Sequence, residues 1–143
     1  MEIFPQFMAA LTTVQEKQLP LLKECKWDFG NNRAVFAHGV PVIVSGHEAV
    51  LVWAYHALLT VRGRWEIHTA KYGSDLEALI GSSWSGDLVR AEAMQYVREC
   101  LLASPYITAI TGLTVTFENT MLRILCTIQS IYGESEERYD VSL

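Results

Sequence analysis

Three acidic side chains lie close enough in the sequence to suggest carboxylate chemistry. Glu66, Asp75 and Glu77 fall within one short stretch, and glycoside hydrolysis needs two carboxyl groups several ångströms apart. Asp75 and Glu77, however, also belong to Ser74-Asp75-Leu76-Glu77, which fits a capping box whose acids stabilise a helix start. Because the cap explains both acids without catalysis, a small peptidoglycan hydrolase is retained only as an alternative function.

The other reactive residue types are scattered. Cys25, Cys100 and Cys126 are odd in number, far apart and without a neighbouring histidine motif, which favours a reduced chain. The glycines form no phosphate loop, and paired-ligand spacing is missing from the four histidines, His38, His47, His56 and His68. We therefore predict no catalytic residue, no cofactor and no metal site.

Composition restricts the class of protein. The chain has 143 residues, of which 50% are apolar and 19% are charged, as expected for one folded domain rather than a disordered segment. The net charge of -5 and the dispersed basic residues argue against nucleic acid as a partner. No apolar run reaches the length of a membrane span, and the N-terminus does not fit a signal peptide, so no membrane partner or export is expected.

The first 24 residues are predicted to form a separate arm. Phe4, Phe7, Met8 and Leu11 recur at helical spacing, and Pro20 interrupts the pattern. Two interpretations remain open. The helix could cover the core of its own domain, or its Phe and Met side chains could dock on another subunit, since both residue types suit interfaces.

The middle of the chain changes from short strands to helices. Strands are predicted around Trp27 to Val44, and a capping box at residues 45–48 starts a helix that continues through Val61 and ends at Gly63. This helix includes Trp53 and Tyr55 and is apolar on most sides, so either the domain or a partner must bury it. A strand at residues 65–69, a short capped helix from Ser74 and a longer helix from Ser85 follow.

The end of the chain alternates with the period of strands. Residues 113–118 and 122–129 are predicted to form a hairpin about an Asn119-Thr120 turn. Residues 139–143 could add one more strand to this sheet or to a neighbouring chain. Removal of residues 138–143 is accordingly expected to leave the domain folded.

These elements predict an α+β fold. We expect one small domain with a mixed or antiparallel sheet, in which a C-terminal β-hairpin packs against about three helices and an N-terminal helical arm is attached. The predicted boundaries are 1–24 for the arm, 25–133 for the compact domain and 134–143 for a tail that can form an extra edge strand.

Several short motifs, in order over residues 27–133, resemble one family. They are Trp27-Asp28-Phe29, the helix from Ser45 to Leu59, Lys71-Tyr72-Gly73-Ser74-Asp75-Leu76, Ser104-Pro105-Tyr106-Ile107 and Ile131-Tyr132-Gly133. The chain resembles the small baseplate wedge proteins, or sheath initiators, of contractile phage tails and tail-like particles. Where the better-known branch carries acid-Pro-Arg-Ile, this chain has Ser104-Pro105-Tyr106-Ile107. The missing arginine suggests the branch found in phages of Gram-positive bacteria.

The resemblance implies a structural role rather than an enzymatic one. It implies a protein that docks on the wedge core of a baseplate and nucleates the sheath by β-strand addition. The implied partners are baseplate wedge proteins and tail sheath subunits, with six copies around a central hub. The implied location is the host cytoplasm during assembly and then the baseplate of the particle. A soluble regulatory module that shares the fold is a further alternative.

Candidate partner-contact residues come from the arm, the apolar helix, the hairpin and the tail. Strand addition draws on backbone hydrogen bonds at an open edge, whereas wedge docking is expected to use exposed apolar side chains. The candidates are Phe4, Phe7, Met8, Leu11, Trp53, Tyr55, Arg123, Leu125, Tyr139, Val141 and Leu143.

Overall fold

A computed structural model describes residues 19–60, 73–76, 86–118 and 121–142. It confirms the predicted α+β class, with two α-helices and antiparallel strand pairs in the described part of the chain. The predicted N-terminal helix, the strand at residues 65–69, most of the short helix after Ser74 and the Asn119-Thr120 turn lie outside the described residues.

The first described part of the chain consists of short paired strands. β1 (Lys23–Cys25) pairs with β6 (Ile43–Ser45), β2 (Trp27–Asp28) with β3 (Arg33–Ala34), and β4 (Phe36–Ala37) with β5 (Val40–Pro41), all antiparallel. The last pair turns at His38 and Gly39, which both have positive φ. The strands predicted around Trp27 to Val44 are therefore present as pairs of only two or three residues each.

The first described helix, α1 (His47–Leu59), does not use the predicted capping box. Ser45 ends β6, Gly46 is the N-cap with φ 68° and ψ −137°, and no side chain caps the helix start. A positive φ at this position suits glycine, which has no Cβ to clash with the backbone. The helix also ends earlier than predicted, because Thr60 is extended at φ −88° and ψ 130°.

Helix α1 is buried by its own domain, which answers the question left open by its apolar sides. One side packs into a small cluster that contains Val44, Ala49 and Val52, next to the short strands. The other side joins the main core with Val50, Ala54, Tyr55, Ala57 and Leu58. Burial on both sides follows from the apolar residues around most of the helix circumference.

The second described helix, α2 (Gly86–Leu102), shows the predicted amphipathic pattern. Ala93, Val97, Cys100 and Leu101 are buried, as expected for positions that share one helical face. The helix packs mainly against the strand that follows it in the sequence.

The predicted hairpin is part of a three-stranded antiparallel sheet. β7 (Ile107–Glu118), β8 (Met121–Ser130) and β9 (Gly133–Ser142) lie in the order β7-β8-β9. β9 thus extends over residues assigned to the tail, and its register places Tyr139 opposite Ile124 and Val141 opposite Leu122. The inner face of the sheet supplies much of the main core, together with α1 and α2.

Candidate partner-binding site

Among the described residues, nothing pairs with the outer edge of β9 at any point along the strand. β9 pairs with β8 through ten consecutive partners, and no strand among the described residues pairs with its other edge. Alternate side chains take opposite faces, so Tyr139 and Val141 point into the core while Glu134 and Glu136 are exposed. An open edge presents unpaired backbone N–H and C=O groups to an incoming strand.

The opposite edge of the sheet, on β7, is less regular. The β7–β8 register shifts between Ile107 and Ala109 and again between Thr111 and Thr114. Gly112, between the second pair, has φ 61°. Such irregularities twist an edge and interrupt pairing, so β9 offers the more continuous template.

An ion-pair network ties the three strands together on the solvent side. Arg123 on β8 lies 3.3 Å from Glu118 on β7 and 3.3 Å from Asp140 on β9. Arg138 lies 3.3 Å from the second oxygen of Asp140. Although partial burial opposes the shift, hydrogen bonds from Arg138 and Arg123 lower the pKa of Asp140. Arg123, predicted as a partner contact, therefore makes ion pairs within its own sheet.

The inner side of β9 carries an aromatic cluster. The Tyr139 ring centroid lies 6.0 Å from those of both Phe29 and Tyr55, and Phe29 and Tyr55 are 4.8 Å apart. The Tyr139 hydroxyl donates to the Leu51 carbonyl at 2.9 Å. Burial raises the pKa of Tyr139 well above its usual range, so the phenol stays protonated and keeps this hydrogen bond.

A pocket of about 160 Å³ opens beside this cluster, and we call it the β9 pocket. Its walls come from the β2–β3 turn, from α1 and from three consecutive residues of β9. Consecutive residues of a strand point to opposite faces of the sheet. The three β9 residues can therefore line one pocket only if that pocket lies along the edge of the strand. The lining residues are Phe29, Gly30, Tyr55, Arg138, Tyr139 and Asp140.

The turn that forms one wall of the β9 pocket is held by two polar side chains. Asp28 Oδ1 accepts hydrogen bonds from the backbone N–H groups of Gly30 and Asn31 at 3.0 and 3.2 Å. The hydrogen bonds to Asn31 are the main reason that the pKa of Asp28 is lowered. Asn32, at φ 52°, accepts from Trp27 Nε1 at 3.2 Å and from the Tyr55 hydroxyl at 3.1 Å. The wall is thus fixed to α1 before any partner arrives.

A histidine fixes the other end of β9. His47, at the start of α1, places Nδ1 2.8 Å from Ser130 Oγ and Nε2 2.7 Å from Ser135 Oγ. Because the Ser135 hydroxyl donates to Glu137 Oε1 at 2.8 Å, it accepts from Nε2. Sequence analysis missed this contact, since nothing in the sequence signals a bond between residues so far apart.

A second candidate contact region contains exposed apolar side chains on the short strands and on the segment before them. Isolated exposed apolar residues are common, but several of them in one part of a small domain indicate a contact surface. We call this set the hairpin patch: Leu21 (54% exposed), Phe36 (61%), Val40 (61%) and Ile43 (58%).

The candidate residues from the sequence fall into three groups. Tyr55, Tyr139 and Val141 are buried, and Trp53 and Arg123 are half-buried. Leu125 is 37% exposed on the solvent side of the sheet. The rest lie outside the described residues: Phe4, Phe7, Met8, Leu11 and Leu143.

The acids considered for catalysis are only partly described. Asp75 follows Ser74, whose hydroxyl donates to the Leu58 carbonyl at 2.9 Å, whereas Glu66 and Glu77 lie outside the described residues. The part of the chain that the structure describes contains no cluster of three or more potential metal ligands. Neither of the two described helices has the length and apolar character needed to cross a membrane.

Comparisons with known proteins agree on the architecture. The family described as contractile injection system sheath initiator matches residues 23–133. A crystal structure of a candidate tail lysozyme from Geobacter sulfurreducens is similar at a TM-score of 0.60 and 18% identity, covering 71% of this chain and 95% of that one. At that identity the similarity supports the fold alone. No curated protein matches the chain.

Proposed function

This chain belongs to the contractile injection system sheath initiator family, and we propose that it starts sheath assembly by accepting a strand of a sheath subunit at the β9 edge. Membership gives it a structural role in a contractile tail and contacts with other tail components. The strand addition, the identity of the sheath subunit as partner and the docking described below are the proposal.

The observation that supports strand addition is the ten-residue outer edge of β9, which no described strand covers. An added strand gains backbone hydrogen bonds along its length without requiring special side chains from the acceptor. β9 is already held in place on its inner side. His47 holds its first residues through Ser135, and the turn that contains Phe29 and Asn32 lies beside its last residues, at Tyr139. A preorganised acceptor loses less conformational entropy when the strand binds.

The hairpin patch supports a second contact, with the wedge core of the baseplate. The patch lies on β4, β5, β6 and the segment before β1, whereas the open edge is on β9. Apolar side chains at the centre of an interface contribute much of its binding energy. Leu21 belongs to the arm predicted at residues 1–24, so the arm residues Phe4, Phe7, Met8 and Leu11 are proposed to extend the same contact.

The remaining parts of the proposal concern the particle. We place six copies around a central hub, assembled in the host cytoplasm and then retained in the baseplate of a phage of the Gram-positive branch. Cryo-electron microscopy of the isolated tail would count the copies, and a different symmetry at the level of this protein would contradict this part alone.

A self-complemented variant tests strand addition without altering β9. An Asn-Gly turn followed by a strand of about ten residues, fused after Leu143, should fold back antiparallel along the open edge. Baseplates that carry this variant should fail to seed sheath polymerisation from purified sheath subunits, as seen by electron microscopy. The matched control is an extension of equal length with proline at alternate positions, which cannot pair with β9.

The two extensions distinguish two causes of lost seeding, namely a strand that occupies the β9 edge and an added tail that merely crowds it. Loss of seeding with the pairing extension and normal seeding with the proline extension supports the proposal. Normal seeding with both extensions would overturn strand addition at β9. Backbone amide exchange of β9 in the isolated variant would show that the pairing extension occupies the edge.

A further inference from the structure

We infer that the strand which joins β9 inserts one phenyl-type side chain into the β9 pocket and carries Lys or Arg three and five residues from that anchor. This inference rests on the proposed function, because it names the partner chemistry of the same edge. It concerns features that strand addition alone does not require, namely a shaped pocket and an uncompensated charge pattern.

The position of the β9 pocket selects one residue of the incoming strand. Tyr139 points to the inner side of the sheet, and the pocket lies along the edge at Arg138, Tyr139 and Asp140. In a paired strand, the residue opposite Tyr139 points to that same inner side. Its side chain therefore enters the space between β9 and the Phe29–Gly30 turn.

The volume and the walls of the β9 pocket favour a single ring. A buried apolar cavity of about 150 Å³ holds a benzene molecule, and this pocket measures about 160 Å³. The Phe29 and Tyr55 rings, 4.8 Å apart and tilted by 57°, provide faces and edges against which another ring can pack. A cationic side chain is less suitable here, because the charged groups of the lining, Arg138 and Asp140, already pair with each other.

The pocket is built before the partner arrives. Phe29 is 40% exposed although it contacts two aromatic rings. It keeps this position because Asn32 bonds both Trp27 and Tyr55 and so fixes the turn. An exposed ring held in place by polar bonds is a ready anchor site for a partner.

The exposed acids of β9 add the second requirement. Glu134 and Glu136 point to the solvent side, and neither forms an ion pair within the described part of the chain. The residues opposite Glu136 and Glu134 lie three and five positions from the residue opposite Tyr139. Because these two partner residues are an odd number of positions from the anchor, their side chains point to the opposite, solvent face of the sheet. Opposite charges across such pairs are stabilising and like charges are destabilising.

Synthetic peptides of about ten residues, rich in Thr and Val, provide the probe. One peptide carries Phe with Lys three and five residues after it, and a second carries the same pattern reversed. Two further peptides replace Phe by Ala or both Lys by Glu. Titration into the full chain, followed by β9 amide shifts in nuclear magnetic resonance spectra, should show binding of one Phe-Lys peptide. Either replacement should weaken that binding about tenfold or more.

Variants of the protein assign the binding to the β9 pocket. Phe29→Ala removes a wall, and Gly30→Val fills space, since a Cβ at Gly30 approaches only Asp28 Oδ1, at 3.4 Å. Each should weaken the Phe-Lys peptide about tenfold, with folding checked by thermal melting. Phe117→Ala is the matched control, because Phe117 is a phenylalanine of similar exposure on β7, the strand at the opposite edge of the sheet. Glu136→Lys should weaken binding, and Glu99→Lys on α2 controls for net charge.

The outcomes for the inference and for the proposed function can be told apart. Equal binding to Phe29→Ala, Gly30→Val and the unchanged protein, or no binding by either Phe-Lys peptide, would overturn the inference. If Phe29→Ala seeds sheath as well as Phe117→Ala and the unchanged protein do, the pocket anchor is refuted while the function stands. If the peptides bind as expected but the unchanged protein never recruits sheath subunits, the pocket stands and the proposed function fails.

Discussion

The short-strand region (β1–β6) and the C-terminal sheet (β7–β9) differ in the groups that they expose to solvent. The six strands β1–β6 are two or three residues long and leave large apolar side chains exposed. The strands β7–β9 are ten to twelve residues long, bury most of one face and keep mainly polar side chains on the other. The comparison indicates that the sheet stabilises the domain and offers backbone groups, whereas the short-strand region offers side chains.

The division predicts where a substitution affects folding and where it affects assembly. Variants in the inner face of β9 should lower the free energy of unfolding, and variants in the hairpin patch should change partner binding instead. Four measurements test this division, in order of the size of the expected effect.

Tyr139→Ala should cause the largest loss of stability. Tyr139 is 2% exposed and contacts Phe29 and Tyr55, and truncation of a buried large aromatic residue costs about 3–5 kcal/mol. Chemical denaturation of the purified chain measures the loss. Tyr139→Phe is the control, since it removes only the bond to the Leu51 carbonyl and should cost about 1 kcal/mol. If Tyr139→Ala lowered the free energy of unfolding by less than Tyr139→Phe does, β9 would not belong to the part of the protein that stabilises the fold.

The burial of β9 side chains corrects the expectation that the end of the chain is not needed for folding. Residues 138–143 were expected to be dispensable for folding, yet Tyr139 and Val141 lie in the core. Deletion of this segment is therefore expected to destabilise the domain, so it cannot test strand addition. The fused strand described above avoids that difficulty because it leaves β9 intact.

Asn32→Ala should have an intermediate effect, because Asn32 joins the short-strand region to helix α1. It accepts bonds from Trp27 and Tyr55 and has φ 52°, a conformation that costs alanine roughly 1 kcal/mol or more. With the loss of the hydrogen bonds, the total should be about 2 kcal/mol. Asn32→Gly retains the conformational freedom and should cost about 1 kcal/mol. Equal denaturation midpoints for the two variants would show that the positive φ of residue 32 contributes nothing to the loss of stability in Asn32→Ala.

The double substitution Phe36→Ser and Val40→Ser should barely change stability. Both side chains are 61% exposed, and surface changes usually stay within about 0.5 kcal/mol. Binding to the isolated wedge core, measured by calorimetry, should weaken about tenfold. Leu125→Ser, on the solvent side of the sheet, is the matched control and should bind normally. Equal weakening by both variants would abolish the distinction between the two surfaces.

The sequence predicts the sheet and the helices better than their ends. Alternation identified β7 and β8, and helical spacing identified the buried face of α2, because each pattern repeats over many residues. Most of β9 escaped because Tyr139 and Val141 are the only large apolar residues in Gly133–Ser142. The predicted cap at Ser45 was wrong because Ser45 pairs with Lys23 in a strand, which is tertiary information.

The candidate site was the harder prediction for the same reason. Tyr139 and Tyr55 were both chosen from the sequence as partner contacts, but Phe29, which completes the β9 pocket, was not. The ring of Phe29 reaches Tyr139 only through the β2–β3 turn, and residues so far apart in the sequence give no periodic signal. The hairpin patch likewise depends on knowing which side chains remain exposed after folding.

The smallest effect should come from acidification, through a histidine that packs α1 against the short-strand region. His56 makes an edge-to-face contact with Trp27 at 4.5 Å, and burial lowers its pKa from 6.5. Near and below that value the unfolded chain binds the proton more readily than the folded chain does. The contribution of neutral His56 is thus intact above pH 6.5 and declines as the pH falls towards its lower folded pKa. Denaturation at about pH 7.5 and about pH 5.5 should show this decline in the unchanged chain.

His56→Phe provides the control for this titration. The substitution preserves a ring against Trp27 and removes the ionisable group, so the variant should lose less stability over the same interval. Glu24 cannot produce the same result, because burial raises its pKa from 4.5 and protonation then favours the folded state as the pH falls. An identical decline in the variant would place the pH sensitivity outside the contact between α1 and the short strands. Both regions would then have to be searched for another proton-binding group.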